Sequence, residues 1–239
     1  MFKFRYTNTL PAKLVIGLGL ILSANIASAN IILNFDSTST SSNTPATGAS
    51  ATADLSFSDV VGGVKIDISL RNTTGEIAAF GAGATTSKFT GFGFDIIGSN
   101  ANVTNFSAGS SFDKLLNDVN VGSFGKGFST SYDIGLADNN NFKGGGPNGA
   151  LSEGASDSAS FILTSTGLSA LDLESAFSTG FSDGSLHYVA RFQRVNGTGA
   201  GSDKLNGAAT GSSIAIPEPA TLALLGLGLL GFVVARRRS

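Results

Sequence analysis

Ala53, Leu55 and Phe57 alternate with Asp54, Ser56 and Ser58, and Val64, Ile66, Ile68 and Leu70 alternate with Lys65, Asp67, Ser69 and Arg71. A period of two puts the two sets on opposite sides of an extended chain, so each run predicts a strand with one apolar face. Gly62-Gly63 between them predicts a hairpin. Residues 30–36 predict a first strand, and 37–50, rich in Ser and Thr and broken by Pro45, a flexible loop. Residues 89–97 predict a strand carrying Phe92, Phe94 and Ile96 on one side. Residues 101–107 are its expected partner, after a turn at Gly98-Ser99-Asn100. Further strands are expected over 158–163 and 186–194, the latter setting Leu186, Tyr188, Ala190 and Phe192 against His187, Val189, Arg191 and Gln193. A last one runs to Ile214.

One helix is expected over 169–177, with Leu168, Leu171 and Leu173 apolar and Asp172 and Glu174 near its start. Residues 138–149 are the longest turn-forming run and predict a surface loop. About seven to ten short strands with so little helix predict an all-β fold, an antiparallel β-sandwich or jelly-roll-like single domain. Residues 128–132 echo residues 177–181, but a solenoid requires at least three regular copies.

The two ends of the chain depart from this pattern. Lys3, Arg5 and Lys13 precede and flank an apolar run over 14–22, and Ala27-Ser28-Ala29 follows. That order predicts a secretory signal helix over 1–29, cleaved between Ala29 and Asn30 and handled by the Sec export machinery and signal peptidase. At the other end, residues 220–235 carry no ionisable group and are followed by Arg236, Arg237 and Arg238. As a helix this run spans about 24 Å, short of the roughly 30 Å hydrocarbon core. Snorkelling arginines and modest bilayer thinning close the gap. It is expected to be a transmembrane helix with the arginines as its cytoplasmic stop.

Pro217 and Pro219 bracket Glu218 just before that run, favouring an extended tripeptide. Ile216-Pro217-Glu218-Pro219-Ala220-Thr221, the Leu/Gly-rich run and the arginines together resemble the PEP-CTERM sorting signal of certain bacteria. The resemblance covers residues 216–239, about a tenth of the chain. It implies that an exosortase, a membrane-embedded transpeptidase-like enzyme, recognises Pro217, Glu218 and Pro219. It also implies that the protein passes through the inner membrane, is held transiently by its C-terminal helix, and is released or attached at the cell surface. Its three parts are then the signal peptide (1–29), the exported domain (30–215) and the sorting signal (216–239).

Charge narrows the partners. The chain has fifteen Lys/Arg and seventeen Asp/Glu. Setting aside the three basic residues of the leader, the three tail arginines and Glu218 leaves nine against sixteen, a net charge of −7. Nucleic acid, which requires a basic face, is excluded as an expected partner. The chain has no cysteine, which removes thiolate catalysis and zinc-thiolate sites.

Candidate chemistry is sparse. His187 is the only histidine, and no Gly-x-Ser-x-Gly elbow accompanies it, so a structural strand residue is the expectation. Asp138-x-Asn140 begins like a calcium loop, but Phe142, Lys143 and Gly149 stand where that loop requires an Asp or Asn, a Gly and a Glu. Asp157 and Asp183 are assigned to loops, with no pairing that would build a glycosidase site. Gly144-Gly145-Gly146 lacks the Lys-Ser/Thr of a phosphate loop. His187-x-x-x-Arg191-x-Gln193 with Gly199-x-Gly201-Ser202-Asp203 is similar to a segment found before the sorting signal in related exported proteins.

The expected function is therefore a non-enzymatic, structural or adhesive surface or matrix protein associated with exopolysaccharide, the last clause implied by the resemblance. The alternatives are a secreted carbohydrate- or calcium-binding module and a hydrolase whose site assembles from scattered loops. No catalytic residue, metal site or cofactor is assigned, a loosely held Ca2+ being the one left open. An enzyme should gather a serine and a carboxylate around His187; a binding module should expose an aromatic platform of Tyr132, Tyr188 or surface Phe.

Overall fold

The computed structural model describes residues 30–98, 101–122, 131–138, 142, 148–164, 166–196, 201–208 and 212–215, the last four as backbone. The leader with Ala27 and Ala29 lies outside the described residues. So do Pro217, Glu218 and Pro219, the apolar run 220–235, and Arg236, Arg237 and Arg238.

In chain order the strands are β1 (Asn30–Phe35), β2 (Thr40–Ser41), β3 (Ala51–Val60), β4 (Gly63–Asn72), β5 (Lys88–Phe94), β6 (Asn102–Ser107) and β7 (Lys114–Asn120). There follow β8 (Ser131–Ala137), β9 (Leu151–Ser152), β10 (Ser156–Thr164), the helix α1 (Ala170–Asp183), β11 (Tyr188–Gln193), β12 (Ser202–Asn206) and β13 (Ser212–Ala215). They form two antiparallel sheets. Sheet A runs β13-β1-β3-β4-β10-β6, and sheet B runs β2-β12-β11-β5-β8-β7 with β9 also paired to β5.

Sheet A follows the period-two pattern. Ile31, Leu33 and Phe35, then Ala53 and Leu55, then Ile66 and Leu70 are buried on one side, while the residues between them are less so. The hairpin turns at Val61-Gly62, with Val60 paired to Gly63 and φ of +95° at Gly62, a conformation that favours glycine.

Sheet B does not follow it. β5 and β11 are buried on both faces. The register between them slips between Arg191/Gly91 and Phe192/Phe89, leaving Thr90 as a bulge. The extra residue resets the alternation, so that Phe89, Phe92 and Phe94 all join the core.

Ten of the phenylalanines lie in that core among the described residues. Phe35 of sheet A meets Phe92 and Tyr188 of sheet B at centroid distances of 6.1 and 5.3 Å, and Phe94 meets Phe161 at 6.4 Å. The sheets therefore pack face to face. Helix α1 joins both layers, with Phe177 5.5 Å from Phe57 and 6.4 Å from Phe94. Ser169 caps it by accepting from Asp172 N, Asp59 Oδ1 of β3 accepts from Ala170 N at 2.8 Å, and Gly184 ends it at φ +78°.

Several expectations are corrected. β6 pairs with β10 in sheet A, not with β5 in sheet B, so the chain crosses between layers after β5. Leu168 and Leu171 are exposed, and the helix buries Leu173, Phe177 and Phe181. The loop expected over 37–50 holds β2 and buries Ser41, Thr47, Ala49 and Ser50. Asp157 lies in β10, and Asp183 ends α1.

Candidate functional site

The outward positions of sheet A assemble a polar groove. Ser56 of β3 stands opposite Asp67 of β4, Asp67 opposite Ser160 of β10, and Ser160 opposite Ser107 of β6. The neighbouring row places Asp54, Ser69 and Ser158 side by side. Asn30 and Lys65 also line the groove, whose volume is about 490 Å³. Adjacent strands lie about 4.8 Å apart, so the rows offer hydroxyl, carboxylate, amide and ammonium groups at closely spaced intervals.

Asp54 is the anomalous member. Its Oδ2 accepts from Asn30 Nδ2 at 3.4 Å, while its Oδ1 is buried with no hydrogen-bond partner among the described residues. Burial pushes its pKa above the usual carboxylate value, and the Asn30 bond offsets that in part. Lys65 Nζ and Asp67 Oδ1 lie 2.6 Å apart in a half-exposed pair, an arrangement that contributes little to stability.

The residues singled out from the sequence occupy other places. His187 binds Asp95 through its backbone N–H at 2.8 Å and through Nδ1 at 3.0 Å, both to Oδ2. Asp95 N donates back to His187 O, so the pair fastens the start of β11 to the end of β5. Burial raises the Asp95 pKa, against the opposing bonds from His187. Among the described residues no hydroxyl hydrogen-bonds the imidazole.

Asp203 is buried in a clasp. Ser41 Oγ donates to both its oxygens at 2.8 and 2.9 Å, Thr47 Oγ1 at 2.6 Å, Ser42 Oγ at 3.1 Å and Lys204 N at 2.8 Å. These bonds pin the 40–50 segment to β12. Arg191, also buried, donates from Nη1 to Thr90 Oγ1 at 3.3 Å beside the bulge. The sequence segment containing Arg191 and Asp203 thus has structural duties at these two positions.

Asp157 accepts from the N–H groups of Ser110, Ser111 and Phe112 at 3.1, 2.7 and 2.9 Å. Burial works against its ionised form, but these backbone donors outweigh it and hold its pKa below the usual value.

The two tyrosines named for a platform are inside. Tyr132 and Tyr188 are buried, and the exposed large apolar side chains among the described residues are Val61, Ile77, Leu168 and Leu171, none aromatic. Among the described residues no three His, Asp or Glu side chains gather as cation ligands. Nor is any described helix long and apolar enough to cross a membrane. The groove was missed in the sequence because its members are ordinary strand serines and aspartates; only the sheet register brings them together.

Comparison with known proteins places one feature. Residues 215–238 match the family model of the PEP-CTERM protein-sorting motif. No curated protein matches the chain. No solved structure matches it either. The motif marks an exported protein processed at the membrane by an exosortase-type enzyme.

Proposed function

Proceeding from that motif, we propose that residues 30–215 form a non-catalytic surface or matrix domain that contacts extracellular polysaccharide through the outer groove of sheet A. The leader 1–29 directs export through the Sec machinery, and signal peptidase leaves Asn30 as the first residue. Pro217, Glu218 and Pro219 are the tripeptide the processing enzyme reads, and Arg236, Arg237 and Arg238 stop the segment 220–235 in the membrane.

The observation that carries the contact is the row of hydroxyl and carboxylate groups, Ser56, Asp67, Ser160 and Ser107, that the strand register sets side by side along the groove. A neutral polyol brings O–H donors and acceptors to such a row without introducing a further charge. Among the described residues no aromatic side chain is fully exposed, and the reading is one of recognition by hydrogen bonding instead of stacking. The reading gives a cation no role.

The test is co-sedimentation of the released protein with exopolysaccharide purified from producing cells. Asp67→Ala with Ser160→Val should weaken binding at least about tenfold, the loss of one to two hydrogen bonds, one of them to a charged group. Equal binding by variant and wild type would sink the groove assignment. For sorting, Pro217→Ala with Pro219→Ala should leave the tail attached, read by mass; normal trimming of that variant removes the tripeptide's role.

A further inference from the structure

The first residue of the matched sorting motif is built into the fold. β13 runs antiparallel to β1 with Ala215 opposite Asn30, Ile214 opposite Ile31, Ser213 opposite Ile32 and Ser212 opposite Leu33. Only Ile216 separates Ala215 from Pro217. At about 3.5 Å per extended residue, the tripeptide therefore begins within about 7 Å of the sheet.

An enzyme that acts on a peptide bond takes its substrate as an extended strand, satisfying backbone groups along several residues. With Ala215 held in the ladder, the domain occupies the space that such a cleft needs. One of the two strands has to yield, and they are unequal. β1 is bonded on its other side to β3, from Ile31 opposite Leu55 to Phe35 opposite Ala51, and buries Ile31, Leu33 and Phe35 completely. β13 ends the strand order of sheet A and has β1 as its one partner among the described strands. Short edge elements open at far lower cost than the core they border.

We propose that β13 is a detachable edge strand, and that the processing enzyme receives the motif on a chain whose β13 has peeled from β1. This rests on exosortase-type processing at residues 217–219. Pairing of β13 then regulates the rate at which the tail is removed, and the strand closes again on the processed product.

The test uses the absence of cysteine from the chain. Ile32→Cys with Ser213→Cys places two thiols at paired positions, within the Cα separation that a disulfide spans. Tail loss is followed by mass after a pulse of synthesis in cells containing the enzyme. The oxidised double variant should be processed at least tenfold more slowly than wild type. Reductant should restore the rate, and each single variant should behave as wild type. A six-residue Gly/Ser spacer inserted after Ala215 should also rescue the crosslinked chain, because it supplies the missing reach without opening the ladder.

A crosslinked chain trimmed at the wild-type rate overturns the proposal, and so does slow trimming that the spacer fails to rescue. Failure of the thiols to bond under oxidant overturns the pairing itself. A wild-type chain that keeps its tail overturns the processing reading, and the gate with it.

Discussion

The two outer faces of the sandwich are built on opposite principles. On sheet A, Ser56, Asp67 and Ser160 line an open polar groove. On sheet B the corresponding surface is roofed by a second apolar cluster of Val119, Val121, Tyr132, Ala137, Phe142 and Val189. Phe142 belongs to the 138–149 run, expected as a surface loop, yet its ring lies over glycines of two strands. A Cβ on Gly91 would stand 2.7 Å from Phe142 Cε2, and one on Gly135 would stand 2.4 Å from Val119 Cγ2. Glycine in these strands makes room for a roof. The difference teaches that, among the described residues, one layer leaves its outer face uncovered while the other is covered by its own chain.

Removing the roof should therefore cost far more than altering the groove. Phe142→Ala deletes a buried ring and should lower stability by about 3–4 kcal/mol. Gly91→Val drives a branched side chain into that ring and should cost about 2–3 kcal/mol. Ser56→Val on sheet A should stay within about 0.5 kcal/mol. Denaturant unfolding of the three variants measures the contrast, and equal losses would show that the two faces are alike.

This contrast also explains what the sequence could reveal. The β3–β4 hairpin was legible because one face of each strand is solvated, so Leu55, Phe57, Ile66 and Ile68 stand out against Asp54, Ser56, Asp67 and Ser69. β5 and β11 blur because both faces are buried, and the bulge at Thr90 shifts the period between Phe89 and Phe92. Nothing local told residues 101–107 to join the other sheet. The sorting motif was legible for a different reason, being a contiguous run in fixed order, whereas the groove collects residues from five strands.

The Asp203 clasp is the next contrast, a carboxylate saturated with donors where Asp54 has one. Asp203→Ala leaves the hydroxyls of Ser41 and Thr47 buried without their acceptor and frees the 40–50 segment from β12. A loss of about 3 kcal/mol is expected, together with faster amide exchange at Thr47 and Ala49. Exchange unchanged from wild type would mean that the segment is held by something other than Asp203.

The smallest effects give the sharpest comparison, because two carboxylates of sheet A should respond to pH with opposite sign. Asp157 has its folded pKa lowered, with burial opposing and the N–H groups of Phe112, Ser111 and Ser110 prevailing. Its stabilisation is present above the ordinary carboxylate pKa and disappears as pH falls through the lowered folded value. Asp157→Asn should therefore cost about 2 kcal/mol near neutrality and progressively less in acid. Asp54 has its folded pKa raised, by burial first, with Asn30 opposing. Its protonated form suits the fold below the ordinary carboxylate pKa, and that advantage is lost as pH rises through the raised folded value. Asp54→Asn should thus be slightly stabilising near neutrality and neutral in acid. Thermal unfolding of both variants between pH 3 and pH 7 reads the two signs directly. A destabilised Asp54→Asn at neutral pH would mean that the ionised carboxylate is held by more than its Asn30 bond, and the opposition of signs would fail.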